Sequence, residues 1–243
     1  EFCEADPDRL VGIGVIPAHS PEAAADELRR MGADGLGLRG ALFDWFNARE
    51  PVWHSMWEPM WAAAEEAEVA ISFHIGFGQG TTTVGPKDHL TSDETDPISV
   101  AAHLAVCAMQ ADEVLASMLV CGGLERHPGL KVVMAESHIG WIPYLLQRMD
   151  RKFEEGDYAA WSEMRPSDLF RRQVWATFQD DRVGCTLAEE YAPESFCWGS
   201  DYPHSDGTWP DSAQFIEESM GGLSPELRDK LVCENVKRLY RLS

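Results

Sequence analysis

Residues 196–204 read FCWGSDYPH, a short apolar run that stops at a Gly-Ser step and is followed by a carboxylate and an imidazole. The apolar part, residues 196–199, is typical of a buried strand. Asp201 and His204 come directly after it, in a segment whose composition favours a turn. The segment therefore predicts a strand that carries two chemically useful side chains just beyond its end.

Two earlier segments are built in the same way. Residues 69–73 form an apolar run that leads to His74, and residues 130–135 form one that is soon followed by His138. In a parallel α/β barrel the carboxyl ends of all strands lie on one face, and active sites are found there. We therefore expect His74, His138 and Asp201 to lie around one metal ion or one substrate.

Strands and helices alternate along the whole chain. Units of strand plus helix begin near residues 9, 35, 69, 130, 174 and 196. This alternation predicts βαβ units and a parallel sheet, so the fold class is α/β. A closed (β/α)8 TIM barrel needs eight units. We expect the other two to precede residue 1, because the chain begins without Met at residues typical of the end of a helix. A doubly wound open sheet is the alternative.

Helices are predicted between the strands from apolar residues at helical spacing and from Ser or Pro at their starts. They cover residues 21–31, 55–68, 98–119, 141–154, 166–172, 183–191, 211–220 and 225–242. Ser20 is expected to cap the first of these helices. Residues 76–97 are rich in Gly, Thr, Asp and Pro, and we interpret them as a lid or substrate loop because loops of this length often carry function.

The composition limits the classes of partner. The chain has 243 residues, with 20 Lys and Arg against 41 Asp and Glu, and a net charge of −21. This charge argues against a nucleic-acid partner and against an anionic membrane surface, because both need basic contacts. We expect a small-molecule substrate, and an anionic one would need a local positive centre such as a metal ion.

Six cysteines form no CxxC pair, and several lie inside apolar runs. This pattern favours buried thiols in a reducing compartment over disulfides or a cysteine zinc site. The sequence shows neither an apolar run of the ~18–20 residues needed to span a membrane nor a signal peptide. We therefore expect a cytoplasmic protein.

Several segments together resemble the second amidohydrolase family, which includes aminocarboxymuconate-semialdehyde decarboxylase and γ-resorcylate decarboxylase. They are, in order, PDRLVGIGVIP, PEAAADELRRMGADGLGL, the strand ending in His74, GGLERHPGLKVVMAESHIGWIPYLLQRMD, GSDYPH and ENVKRLY. Their order and spacing cover nearly the whole chain. The resemblance implies one TIM-barrel domain over residues 1–243, of the metal-dependent hydrolase type.

The resemblance also implies one divalent metal ion, with zinc favoured over manganese. By motif position, His74 matches the fifth-strand metal ligand, Asp201 the eighth-strand ligand that also acts in catalysis, and His138 the catalytic histidine of the sixth strand. The family's first-strand His-x-His pair has no counterpart in this sequence, and we expect it on the further units. Glu136 stands where the family usually has a small residue.

Each of these residues also has a plainer interpretation. His74 can be a hydrogen-bonded histidine at a strand end, Asp201 can cap the following turn, and His138 can cap the next helix. His204 is predicted to contact substrate or to support a ligand. Arg39 is predicted to end a strand and to bind a substrate carboxylate with both guanidinium nitrogens, although an acidic neighbour is an equal partner for it.

The predicted function is a metal-dependent decarboxylase of a small aromatic or muconate-like carboxylic acid. The first alternative is a metal-dependent hydrolase of an amide, lactone or carbon–carbon bond on the same scaffold. A non-catalytic barrel is the second alternative, and the presence of His74, His138 and Asp201 argues against it. The Trp and Phe content is sufficient for the apolar interface of a homodimer.

Overall fold

A computed structural model of the chain describes residues 3–6, 9–32, 35–76, 101–102, 105–158 and 160–242. Its centre is a parallel sheet of six strands in sequential order. The strands are Ile13–Ile16 (β1), Gly40–Phe43 (β2), Ala70–His74 (β3), Val132–Ala135 (β4), Val174–Phe178 (β5) and Phe196–Trp198 (β6). The parallel α/β prediction is confirmed. Within the described residues, β1 and β6 are the two edges of the sheet.

Helices follow the strands along the chain. They are Pro21–Met31 (α1), Glu58–Glu66 (α2), Asp112–Val120 (α3), Gly123–Arg126 (α4), Ile142–Glu154 (α5), Pro166–Gln173 (α6), Arg182–Tyr191 (α7), Ser212–Met220 (α8), Pro225–Asp229 (α9) and Asn235–Tyr240 (α10). Short 3₁₀ segments occur at Cys3–Ala5, Trp45–Asn47, Ser55–Trp57 and Cys107–Ala111. The bounds of α1 and β5 agree with the prediction, and the Ser20 hydroxyl caps α1 by accepting a hydrogen bond from the Ala23 N–H at 3.2 Å.

The second strand begins later than predicted. The chain leaves α1 through hydrogen bonds from the N–H groups of Leu36 and Gly37 to the carbonyls of Arg30 and Gly32. Gly37 has a φ of +69°, which suits a turn and not a strand. Residues 35–40 read GLGLRG and match the spacing of a dinucleotide-binding loop, but they lead into a strand, whereas that loop follows one.

The last predicted helix is interrupted. A π-helical turn at Lys230–Glu234 separates α9 from α10. The Asn235 amide, after this turn, donates hydrogen bonds to the carbonyls of Pro193 and Phe196, each at 2.8 Å. These bonds anchor α10 beside β6. Of the helix predicted at residues 98–119, part lies outside the described residues, as does the predicted loop at 76–97 apart from its first residue.

The two faces of the sheet have different coverings. Phe43 and Phe73 point toward the helices, where Phe43 lies edge-to-face against Trp57 with centroids 5.0 Å apart. Because side chains alternate along a strand, Ser72 and His74 point to the other face. There, Leu239 of α10 packs in a separate cluster against Ala70, Val133, Trp175 and Cys197. The C-terminal helix α10 thus covers the face of the sheet to which His74 points, but it lies away from the strand ends that carry His74 and Asp201.

No helix among the described residues combines the length and the apolar character that crossing a bilayer requires.

Candidate active site

A cavity of about 590 Å³ lies at the carboxyl ends of the strands. Its lining includes side chains that follow four neighbouring strands: His74 from β3, Glu136 and His138 after β4, Gln179 after β5, and Asp201 and His204 after β6. The structure therefore brings together the three residues that the strand pattern predicted to meet. His204 lies at the rim, with 61% of its side chain exposed.

Three of the lining residues adopt a left-handed backbone conformation. The φ angles are +58° for Glu136, +51° for His138 and +56° for Asp201. Residues other than glycine adopt this conformation at a cost of ~1–3 kcal/mol each, and such residues cluster at functional sites. Three strained residues at one cavity therefore indicate, independently of the sequence pattern, that this cavity is a functional site.

His74 is fixed by both of its ring nitrogens. Its Nδ1 donates a hydrogen bond to the Ile75 carbonyl at 2.5 Å, and its Nε2 lies 2.8 Å from Glu136 Oε2. The hydrogen bond with Glu136 raises the pKa of His74, and the same bond lowers the pKa of Glu136. A ring nitrogen bonded to a main-chain carbonyl is the usual arrangement behind a metal-binding histidine, because it directs the other nitrogen toward the ion.

Asp201 holds a buried oxygen that lacks a partner. Among the described residues, Oδ2 of Asp201 has no hydrogen bond. His204 Nδ1 lies 3.4 Å away, but that nitrogen accepts a hydrogen bond from the Asp206 N–H and so has no proton to offer. Burial raises the pKa of Asp201, and the adjacent Glu136 carboxyl raises it further. A buried carboxylate oxygen without a partner is costly, and a bound cation would remove this cost.

The donor set fits a divalent metal ion. Glu136, Asp201 and His204 each offer a ligand atom, and these atoms lie within 4.8 Å of one another. His74 Nε2 adds a nitrogen next to Glu136. Imidazole and carboxylate together suit zinc and also manganese. Among the described residues, Asp201 Oδ2 has no hydrogen-bond partner, so it does not cap the following turn through that oxygen.

His138 lies on the loop between β4 and α5. It does not cap α5, because the residue at the start of that helix is Trp141 and no side chain caps it. The loop is held by Asp181, whose Oδ2 accepts hydrogen bonds from the N–H groups of Ile139 and Gly140 at 2.7 and 2.6 Å. The role of Asp181 was not predicted from the sequence. Its position three residues after β5 was the available signal.

Arg39 does not reach the cavity, so its predicted contact with a substrate carboxylate is wrong. The residue precedes β2 and lies at the amino end of the sheet, opposite the cavity. Its Nη1 donates hydrogen bonds to the carbonyls of Tyr240, at 2.7 Å, and Arg241. The cause is the late start of β2. Arg39 was predicted to end this strand, but it comes directly before the strand begins. None of the described residues that line the cavity is Lys or Arg.

Comparisons with known proteins identify the family of the chain. A profile of the family described as amidohydrolase matches residues 1–242. The chain is 27% identical over 246 residues to γ-resorcylate decarboxylase of Rhodococcus jostii (strain RHA1), covering 89% of the chain and 68% of that enzyme. It is 26% identical over 191 residues to decarboxylase orsB of Emericella nidulans, covering 77% of the chain and 53% of that protein. These relatives favour the decarboxylase prediction over the hydrolase alternative.

Solved structures show the same fold. The 5-carboxyvanillate decarboxylase of Sphingomonas paucimobilis superposes with a TM-score of 0.78 at 20% identity, over 100% of this chain and 70% of that one. A dihydroxybenzoic acid decarboxylase from Polaromonas sp. JS666, solved with bound manganese, gives a TM-score of 0.74 at 19% identity, over 99% and 71%. These likenesses confirm the predicted barrel class. With a family profile that matches nearly every residue, this chain belongs to the amidohydrolase family.

Proposed function

We propose that the protein is a metal-dependent decarboxylase that acts on a small aromatic carboxylic acid within a single catalytic domain. The observation that carries the proposal is the buried Asp201 Oδ2, which has no hydrogen-bond partner among the described residues and belongs to the donor group that Glu136 and His204 form at the strand ends. A carboxylate in this setting is suited to a cation. The named activities of both curated relatives are decarboxylations, which selects this reaction from those that the scaffold supports.

The cavity suits a single-ring acid. Its volume of about 590 Å³ lies within the range of small-molecule sites. The solved relatives are named for aromatic acids with one ring, namely 5-carboxyvanillate and 2,6-dihydroxybenzoate. His74 and Asp201 would hold the metal, and the bound ion would supply positive charge to the substrate carboxylate and a neighbouring oxygen.

Loss of CO₂ leaves the bonding electron pair on the ring carbon, and that carbon must take up a proton. His138 is the group that we assign to this step, because it lines the cavity and imidazole exchanges protons near neutral pH. The net reaction replaces the carboxylate with hydrogen and releases CO₂. His204 at the rim is assigned to substrate contact.

Finer features follow from the same proposal. The mixed nitrogen and oxygen donors favour zinc, and manganese is the alternative because a solved relative contains it. We expect a cytoplasmic enzyme that takes a small-molecule substrate and forms a homodimer. Elemental analysis, fractionation and solution mass measurements test these three expectations.

The test of the activity combines metal content and turnover. We expect about one zinc or manganese ion per chain in the purified protein, and CO₂ release from dihydroxybenzoates or related acids, followed by chromatography of the decarboxylated product. His74→Ala and Asp201→Asn should each lose both the metal and the activity. Hydrolysis of lactones or amides without CO₂ release would replace the proposal with the hydrolase alternative. A protein that binds no metal after reconstitution would end both.

A further inference from the structure

Glu136 is the residue at this cavity that neither the strand pattern nor the family resemblance explains. We propose that Glu136 is a direct ligand of the divalent metal ion, placed between His74 and Asp201. This inference rests on the proposed function, because it concerns the same ion. It adds an acidic ligand at a position where the family usually has a small residue.

The register of the sheet places Glu136 beside His74. Ala135, the last residue of β4, pairs with His74 of β3, so Glu136 is the first residue beyond that pair. Its N–H donates a hydrogen bond to the Thr177 hydroxyl of β5 at 2.7 Å. This bond holds the residue in its left-handed conformation, with a φ of +58°. The backbone strain is therefore supported by a neighbouring strand, and the side chain contacts His74 of β3.

The distances suit neighbouring ligands of one ion. Two ligands that each lie ~2.1 Å from a metal are ~3 to 3.4 Å apart when adjacent and at most ~4.2 Å apart. Glu136 Oε2 is 2.8 Å from His74 Nε2. The donor atoms of Glu136, Asp201 and His204 lie within 4.8 Å of one another, so small side-chain rotations bring them to one centre.

The hydrogen bonding around His74 is compatible with a cation at this point. A carbonyl can only accept, so Nδ1 of His74 carries the proton that bonds to Ile75. Nε2 of His74 and Oε2 of Glu136 lie 2.8 Å apart and share a hydrogen bond. A metal ion bound by both atoms would take the place of the proton that they share.

A second, independent observation comes from Gln179. This side chain is only 8% exposed and lines the cavity, yet its Oε1 has no hydrogen-bond partner among the described residues. Gln179 and Asp201 thus each carry a buried oxygen without a hydrogen-bond partner among the described residues, and both residues line the cavity that Glu136 lines. Buried oxygen atoms of this kind are normally satisfied by a donor or an ion.

The experiment measures metal affinity in the whole protein, stripped with a chelator and titrated separately with zinc, manganese and cobalt. The variants are Glu136→Gln, which removes the charge, and Glu136→Gly, which removes the side chain and suits the left-handed backbone. Asp206→Asn is the matched control, since Asp206 lines the same cavity outside the donor cluster. Circular dichroism of the metal-free variants verifies folding, and Glu136→Gly serves if Glu136→Gln does not fold.

We expect each Glu136 variant to lose more than ~100-fold in affinity, beyond the ~10–100-fold that a supporting residue would cost. The visible spectrum of the cobalt form should also change, because the ligand set changes. Asp206→Asn should stay within a few-fold of the wild type. If the wild type binds one ion and both variants bind it equally tightly with the same cobalt spectrum, Glu136 is not a ligand and the proposed function stands. If the wild type binds no ion, the inference and the proposed function fail together.

Discussion

Asp181 joins the loop that carries His138 to the amino end of α7. Its Oδ2 accepts hydrogen bonds from the N–H groups of Ile139 and Gly140 at 2.7 and 2.6 Å, and its Oδ1 accepts one from Gly184 at 2.7 Å. We predict that Asp181→Ala removes all three bonds. Asp181→Asn should keep the helix cap, because Asn caps helices about as well as Asp does.

The expected loss of stability follows from the bonds that each variant removes. Loss of the cap costs about 1 kcal/mol. Each loop N–H that loses its carboxylate partner costs roughly 1 to 1.5 kcal/mol, because water replaces part of the bond at this half-buried position. The free energy of unfolding should therefore fall by roughly 3 to 4 kcal/mol in Asp181→Ala, and by roughly 2 to 3 kcal/mol in Asp181→Asn, which keeps the cap but loses both loop bonds.

Urea denaturation followed by tryptophan fluorescence measures both losses. Asp168→Ala is the matched control, because Asp168 is an exposed carboxylate paired with Arg171, and such pairs contribute less than ~1 kcal/mol. Asp181→Ala should also lower kcat about tenfold or more with little change in KM, since the loop that positions His138 is released. Equal losses of stability in Asp181→Ala and Asp168→Ala would refute the structural reasoning, and an unchanged kcat would refute the positioning role.

Three further predictions concern other parts of the fold. Asn235→Ala should lower the free energy of unfolding by roughly 2 to 3 kcal/mol in urea denaturation, because the buried amide donates to two main-chain carbonyls. Burial raises the pKa of Cys185 and Cys197 to about 12, so peptide mass spectrometry should find both unmodified after iodoacetamide treatment of the folded protein at about pH 8, and modified in urea. Burial raises the pKa of Glu58, but hydrogen bonds from Arg126 and His127 lower this pKa by more, to below its usual 4.5. The resulting stabilisation is present above that value and is lost as the pH falls through the lowered pKa, so Glu58→Gln should flatten the acid limb of Tm against pH.

The sequence was sufficient to predict six strands that alternate with helices, and the side chains that end or follow β3, β4 and β6. Apolar runs of five residues, each bounded by a polar or glycine residue, located β3 and β5 within one residue. The convergence of His74, His138 and Asp201 followed from the geometry of parallel strands alone. These predictions succeeded because they depend on local patterns and on one general rule of barrel architecture.

Other features depend on contacts between residues that are distant in sequence. Arg39 was assigned to the wrong end of a strand, because the glycines after α1 form a turn whose length the pattern does not show. Asp181 and Gln179 were missed because their roles depend on partners in other loops. Glu136 is unusual for its position in the sequence, but the direction of its side chain depends on a positive φ and on the hydroxyl of Thr177 on the next strand.

The charge of the cavity constrains the order in which its ligands bind. Glu136, Asp201 and Asp206 contribute carboxylates to the lining, and none of the described lining residues is Lys or Arg. In a chain with a net charge of −21, this cavity repels an aromatic carboxylate. The Glu136 and Asp201 carboxylates attract a divalent cation, which reverses the local sign of the charge. Under the proposed function, the metal must therefore bind before the substrate, and the acidity that disfavours the substrate in the metal-free protein is the feature that holds the ion.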